Sequence, residues 1–124
     1  MPFDWMQYHA LADELRTRKE EAYLRSAISR VYYCVYCQVR NHLRQSGTQI
    51  PEHDSAHRFV WNFFKDKGKT SNAIAYNGGR LHYNRKLADY EDEIDDINKM
   101  VDESFGFASR VLYFLNQIQK AKDN

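Results

Sequence analysis

Apolar residues in this chain recur three and four positions apart over long runs, the period of an amphipathic helix rather than a strand. The longest run spans residues 20–45, where Leu24, Ala27, Ile28, Val31, Val35, Val39 and Leu43 form a continuous stripe. Tyr32, Tyr33 and Tyr36 widen that stripe, so this helix is expected to touch neighbours on two sides or a second subunit. Ser46-Gly47 ends it, because glycine readily takes the left-handed conformation past a helix C-terminus, and residues 46–53 read as loop. Residues 4–18 predict an earlier helix, capped by Asp4, carrying Trp5, Tyr8, Ala12 and Leu15, and closed by Arg16-Thr17-Arg18-Lys19. A third helix follows a cap at Asp54 or Ser55 and turns Ala56, Phe59, Val60, Phe63 and Phe64 inward. After a polar loop at 66–70, residues 72–89 predict a fourth helix that Gly78-Gly79 would kink or break. Residues 92–121 predict the last, with Ile94, Ile97, Val101, Phe105, Ala108, Val111, Leu112, Leu115 and Ile118 in period. No segment alternates as a strand does. The expected fold is a single all-α domain over residues 1–124, an antiparallel four- to five-helix bundle.

Composition changes this picture little. With 124 residues, 43% hydrophobic and 28% charged, the chain is long enough to bury a core without disulfides or metals. Nine tyrosines suit half-buried seams and favour a homo-oligomer. The net charge of +1 conceals an asymmetry. Residues 1–88 carry 14 Lys/Arg against 8 Asp/Glu, whereas residues 89–124 carry 4 against 9. A basic surface of this kind can meet an acidic ligand such as a phosphate, but a pI near 7.8 is too mild to imply nucleic-acid binding by itself. The start Met1-Pro2-Phe3-Asp4 lacks the basic and apolar regions of a signal peptide, and no apolar run reaches bilayer-spanning length. The chain is expected to be cytoplasmic, reduced and free of the membrane.

Four local patterns bear on chemistry. Cys34 and Cys37 have the spacing of a redox or zinc pair, but they sit mid-helix without a second pair, which favours core packing. His53 and His57 are four apart, yet a zinc site needs further ligands and none is placed for it, so no metal or other cofactor is expected. Gly78-Gly79-Arg80 lacks the Lys-Ser/Thr and the preceding strand of a phosphate loop and reads as a kink or a close helix approach. Arg85 and Asp89, four apart on a helix, form at the least an ion pair.

Two segments together resemble the HEPN superfamily of helical domains. Ser26-Ala27-Ile28-Ser29-Arg30-Val31-Tyr32-Tyr33 is similar to its Ser-Ala-x-Ser-Arg-x-Tyr-Tyr pattern. Arg85-Lys86-Leu87-Ala88-Asp89-Tyr90 is similar to the Arg-x-x-Ala-Asp-Tyr signature of one branch, and Ser55-Ala56-His57 fits the histidine that opens the middle helix. The resemblance covers roughly residues 20–115. It implies a bundle that dimerises. Many members carry Arg-x-x-x-x-His, two copies of which meet across the dimer and cleave RNA without metal, in toxin–antitoxin pairs and phage defence. Others bind nucleotides or act as scaffolds.

This chain departs at the decisive position, because five residues after Arg85 stands Tyr90, and no arginine is followed by histidine at that offset. Metal-free cleavage must take a proton from a 2′-hydroxyl and return one to the leaving oxygen; histidine does this near neutral pH, whereas a phenol of ordinary pKa near 10 is a poor base. Phosphate binding survives the change better. The expectation is a homodimer that binds a nucleotide or RNA phosphate at its seam, with Arg85 as ligand, Asp89 and Tyr90 as supports, and Arg30 and His57 in the same cleft. The alternatives are a metal-independent endoribonuclease toxin using Tyr90, His57 or His82, and an interaction module presenting Tyr32, Tyr33 and Tyr36. The resemblance implies an antitoxin or a nucleotidyltransferase as partner.

Overall fold

A computed structural model describes residues 1–123 as five helices: α1 (Met6–Leu15), α2 (Glu21–Gln45), α3 (Ser55–Phe63), α4 (Lys69–Tyr90) and α5 (Ile97–Asp123). No strand occurs among the described residues, so the fold is the all-α bundle that the periodicity predicts. The long α2 is the hub: α1, α4, α5 and α3 all pack against it, α4 and α5 form a hairpin, and α3 lies mainly on α4. Its predicted stripe is buried from Leu24 to Leu43. Each such side chain removed from water contributes about 1.5–3 kcal/mol. Val101, Phe105, Ala108, Val111 and Leu115 of α5 complete the centre. No helix is long and apolar enough to cross a membrane among the described residues.

The helix ends show local chemistry at work. After α2, Gly47 has φ +86°, its amide donates to Arg44, and the Thr48 amide donates to Leu43, which satisfies two terminal carbonyls. The carboxylate of Asp4 accepts the Met6 amide, as a cap would, but α1 stops at Leu15 and Arg16–Lys19 lie beyond it. Neither predicted cap of α3 bonds a helical amide: Asp54 holds the cap position without a side-chain bond, and the Ser55 hydroxyl donates to the Glu52 carbonyl instead. The last helix starts later than predicted because Glu91 is extended and the Asp96 carboxylate accepts the Lys99 amide, which places the start at Ile97. Ile94 keeps the helical period but lies in the preceding loop.

Gly78-Gly79 neither kinks nor breaks α4, which runs unbroken from Lys69 to Tyr90. The two glycines differ. A Cβ on Gly78 would collide with the six-membered ring of Trp61, so this residue is what lets α3 approach α4; a Cβ on Gly79 would meet nothing within 4 Å. Trp61, which the sequence reading left out of the α3 face, is buried against it. Gly78→Ala is therefore expected to destabilise the fold by about 1–3 kcal/mol through overpacking. Gly79→Ala should be neutral or stabilise it by up to about 1 kcal/mol through helix propensity, with urea unfolding followed by circular dichroism as the measure.

Candidate functional site

The two motif-bearing segments are 50 residues and more apart in sequence and meet where α2 crosses α4. Arg85 is 7% exposed, and its guanidinium carbon lies 5.1 Å and 5.3 Å from the ring centres of Tyr32 and Tyr33. Its Nη1 donates to Asp89 Oδ2 at 3.3 Å, and the same oxygen accepts the Ser29 hydroxyl at 3.3 Å. Its Nε is buried and has no partner among the described residues. A second arginine fixes the junction from α2: the Arg25 guanidinium donates to the carbonyls of Ala88 at 3.1 Å and Asp92 at 3.2 Å, satisfying the C-terminal end of α4.

Next to this cation stands a column of rings. Tyr36 and His57 stack at 4.1 Å and 14°, His57 and His82 at 5.3 Å and 14°, and Tyr32 lies nearly parallel to both histidines. Trp61 Nε1 donates to the Tyr32 hydroxyl at 3.1 Å, and that hydroxyl lies 2.7 Å from His57 Nδ1. Burial pushes the Tyr32 hydroxyl well above its ordinary pKa, against the opposing pull of the Trp61 hydrogen bond and of Arg85, so it keeps its proton. Indole can only donate, so Tyr32 accepts from Trp61, and His57 Nδ1 is the acceptor within reach of the buried Tyr32 proton. His57 is then the tautomer with its proton on Nε2. Burial, reinforced by Arg85, lowers the His57 pKa to about 4; burial, then Lys86 and His57, lowers His82 to about 4. Both rings are neutral at pH 7.

Arg85, Tyr90 and His57, together with Tyr33, His82, Lys86, Arg58 and Asp54, line one cleft of about 670 Å³. Three cations face one carboxylate there. Asp89 stands behind Arg85 as its orienting partner. Arg30 is the exception among the predicted residues: its guanidinium lies 5.0 Å from the Tyr8 ring in the α1–α2 seam, away from the cleft. Position 30 falls on the face of α2 that packs on α1, whereas Ser29, Tyr32 and Tyr33 meet α4. Tyr32 and Tyr36 are buried within the protomer, which removes these two as a surface for a protein partner, whereas Tyr33 is half-buried and lines the cleft. Cys34 and Cys37 are buried free thiols whose pKa burial raises, as core packing requires. His53 is exposed, has φ +69° and precedes α3, so the His53–His57 spacing does not lie on one helix. Sequence reasoning passed over Arg58 and Lys86, whose only signal was positive charge beside the motif residues.

Chemically the cleft offers donors. The guanidinium of Arg85, the ammonium of Lys86, the Arg58 guanidinium and His57 Nε2–H all suit an anionic oxygen. His57 is a poor base here because its lone-pair nitrogen is occupied by Tyr32. His82 alone keeps a free imidazole lone pair, and no histidine on the cleft is protonated at pH 7 to act as acid. No protein-family model, curated protein or solved structure matches this chain.

The histidine column makes stability depend on pH. Both side chains bind a proton near pH 6.5 when unfolded but only near pH 4 in the fold, so the unfolded state takes up more protons as pH falls between those values. Thermal midpoints are expected to be level above about pH 7 and to fall progressively from pH 6.5 to pH 4. Replacing both histidines with glutamine should flatten that fall in a calorimetric pH series.

Proposed function

We propose that the cleft binds the phosphate of a nucleotide or an RNA strand, in a HEPN-like homodimer with its clefts at the seam, and that it holds this ligand without cutting it. The observation that carries the reading is Arg85: a buried guanidinium beside the rings of Tyr32 and Tyr33, with a single hydrogen bond to Asp89 and an unpartnered Nε. Burying a guanidinium whose Nε is left without a partner is costly, and an anion in the cleft would offset that cost. Lys86, Arg58 and His57 Nε2–H supply further donors around the same space. What supports the family likeness is that Ser29, Tyr32 and Tyr33 of one motif segment contact Arg85 and Asp89 of the other. What favours binding over cleavage is the Tyr at position 90, together with a His57 whose base nitrogen is taken. A link to a toxin–antitoxin or phage-defence system, with an antitoxin or nucleotidyltransferase partner, belongs to the same reading.

Titration with ATP and with a short single-stranded RNA at low salt tests it. Arg85→Gln is expected to weaken both by roughly 10–100-fold, the scale of about 1.5–3 kcal/mol for a charge-assisted hydrogen bond. Lys86→Ala, at an exposed position that leaves the core intact, should reduce the slope of log affinity against log salt by about 0.7 for the RNA. Unchanged affinity in Arg85→Gln would remove the site. RNA cleavage that persists in EDTA and disappears in His82→Gln would replace binding with the endoribonuclease reading.

A further inference from the structure

A second hollow opens beside the cleft, with a volume of about 470 Å³, where the start of α1, the later half of α2 and the loop before α3 meet. Tyr33 and His57 line both spaces, so the two are neighbouring chambers that share a wall. Trp5, Tyr36 and Ile50 give the hollow an apolar side, and Arg40 and Arg44 give it charge. The face of α2 dictates this arrangement. Tyr33, Cys37, Arg40 and Arg44 follow one another at steps of three or four, so all lie along one side of the helix. At the rise of an α-helix, Arg40 stands about 10 Å beyond Tyr33 and Arg44 about 16 Å beyond it.

The fold does not use up these two arginines. Neither forms an ion pair among the described residues. Arg44 is exposed. The Arg40 guanidinium carbon lies 5.8 Å and 5.9 Å from the ring centres of Trp5 and Tyr36, and its Nε and Nη2 both donate to one oxygen, Asn41 Oδ1, at 3.2 Å and 3.1 Å. The hollow's carboxylate, Glu52, is spent on a 3.9 Å contact with exposed His53. Over both chambers, Arg40, Arg44, Arg58, Arg85 and Lys86 face Asp54 and Glu52, five cations against two carboxylates. The field crosses the shared wall. Burial lowers the His57 pKa most, Arg85 adds to this from the cleft, and Arg40 adds less from the hollow, against the opposing Asp54.

Arg85 lies beside the Tyr33 ring at 5.3 Å, so a phosphate that it holds is too far from Arg44 to be held there as well. The hollow is also larger than a phosphate, and its rings give a phosphate nothing. Rings and free cations repeated along a groove suit a single polynucleotide strand, whose bases stack while its backbone meets charge. We propose that the hollow is a second nucleotide subsite, with a base beside Trp5 and Tyr33 and its phosphate on Arg40 and Arg44, so that the cleft takes a strand of RNA crossing the Tyr33–His57 wall in preference to a mononucleotide. This rests on the phosphate-binding reading and narrows its ligand. A mononucleotide occupies the cleft alone, and a strand occupies both chambers.

Titrating a labelled single-stranded RNA of about six nucleotides, and separately ATP, into the Arg40→Gln/Arg44→Gln chain tests the subsite. The RNA affinity is expected to fall about tenfold or more, while ATP affinity stays within about twofold. The slope of log affinity against log salt should fall by about 1.4 for the RNA, two phosphate contacts at about 0.7 each. Arg44→Gln alone, at an exposed position, should keep the helix content by circular dichroism and lower the slope by about 0.7. Lys19→Gln removes an exposed charge before the other end of α2 and should leave the slope unchanged. RNA binding that ignores Arg40→Gln/Arg44→Gln overturns the subsite, as does a slope that falls equally in Lys19→Gln and Arg44→Gln. An ATP affinity that falls as far as that of the RNA overturns it too, because the hollow would then hold the base of the same nucleotide. Failure of the cleft looks different. If Arg85→Gln weakens both ligands and Arg40→Gln/Arg44→Gln weakens neither, the cleft stands and only the second subsite falls. If neither ligand responds to Arg85→Gln, the cleft falls.

Discussion

A guanidinium cannot leave water without compensation, and the way Arg85 is compensated organises the cleft side of the bundle. Two tyrosine faces take its charge, one carboxylate takes a hydrogen bond, and a serine of α2 holds that carboxylate. These partners come from α2 and α4 alike, so the cation fixes how the two helices meet. Burial keeps the neighbouring imidazole neutral, and the Arg85 field reinforces this, because a second charge beside it would be repelled. Arg25 serves the same junction from the other side by occupying the carbonyls that the end of α4 leaves open.

The ring column follows from that arrangement. Tyr32 stacks near Arg85, its hydroxyl is held by Trp61, and its proton sets the tautomer of His57. Trp61 can reach that hydroxyl only because Gly78 lets α3 settle on α4. A backbone position without a side chain therefore acts, through one indole and one phenol, on which imidazole nitrogen remains available in the cleft. The outcome is a pocket rich in donors and short of acid–base pairs, which suits holding an anion more than breaking a phosphodiester bond.

The helices were legible because burial in this fold follows one stripe per helix. The α2 and α5 stripes read directly from spacing and proved buried throughout their central parts. Boundaries were less legible where a local contact outweighed the period. Asp96 starts α5 three residues after Ile94, although Ile94 keeps the helical spacing. Gly78-Gly79 carried no label for which glycine mattered, since the answer lies in the position of Trp61. The cleft was legible in part. Arg85, Asp89, Tyr90 and His57 were singled out by pattern and do lie in or behind one cleft, whereas Arg30, in the same pattern, faces α1.

What the sequence by itself determined is the all-α class, the rough placement of the helices and the sides they bury, because the hydrophobic effect acts on a periodic pattern that any single helix displays. What only the tertiary structure decided is which polar groups share a space. Arg85 finds Tyr32 and Tyr33 more than 50 residues away, Asp89 finds Ser29, and His57 finds His82 and Tyr36, through the packing of three helices. Charge and proton position respond to distance and burial in three dimensions, and neither is written in the spacing of residues along one helix.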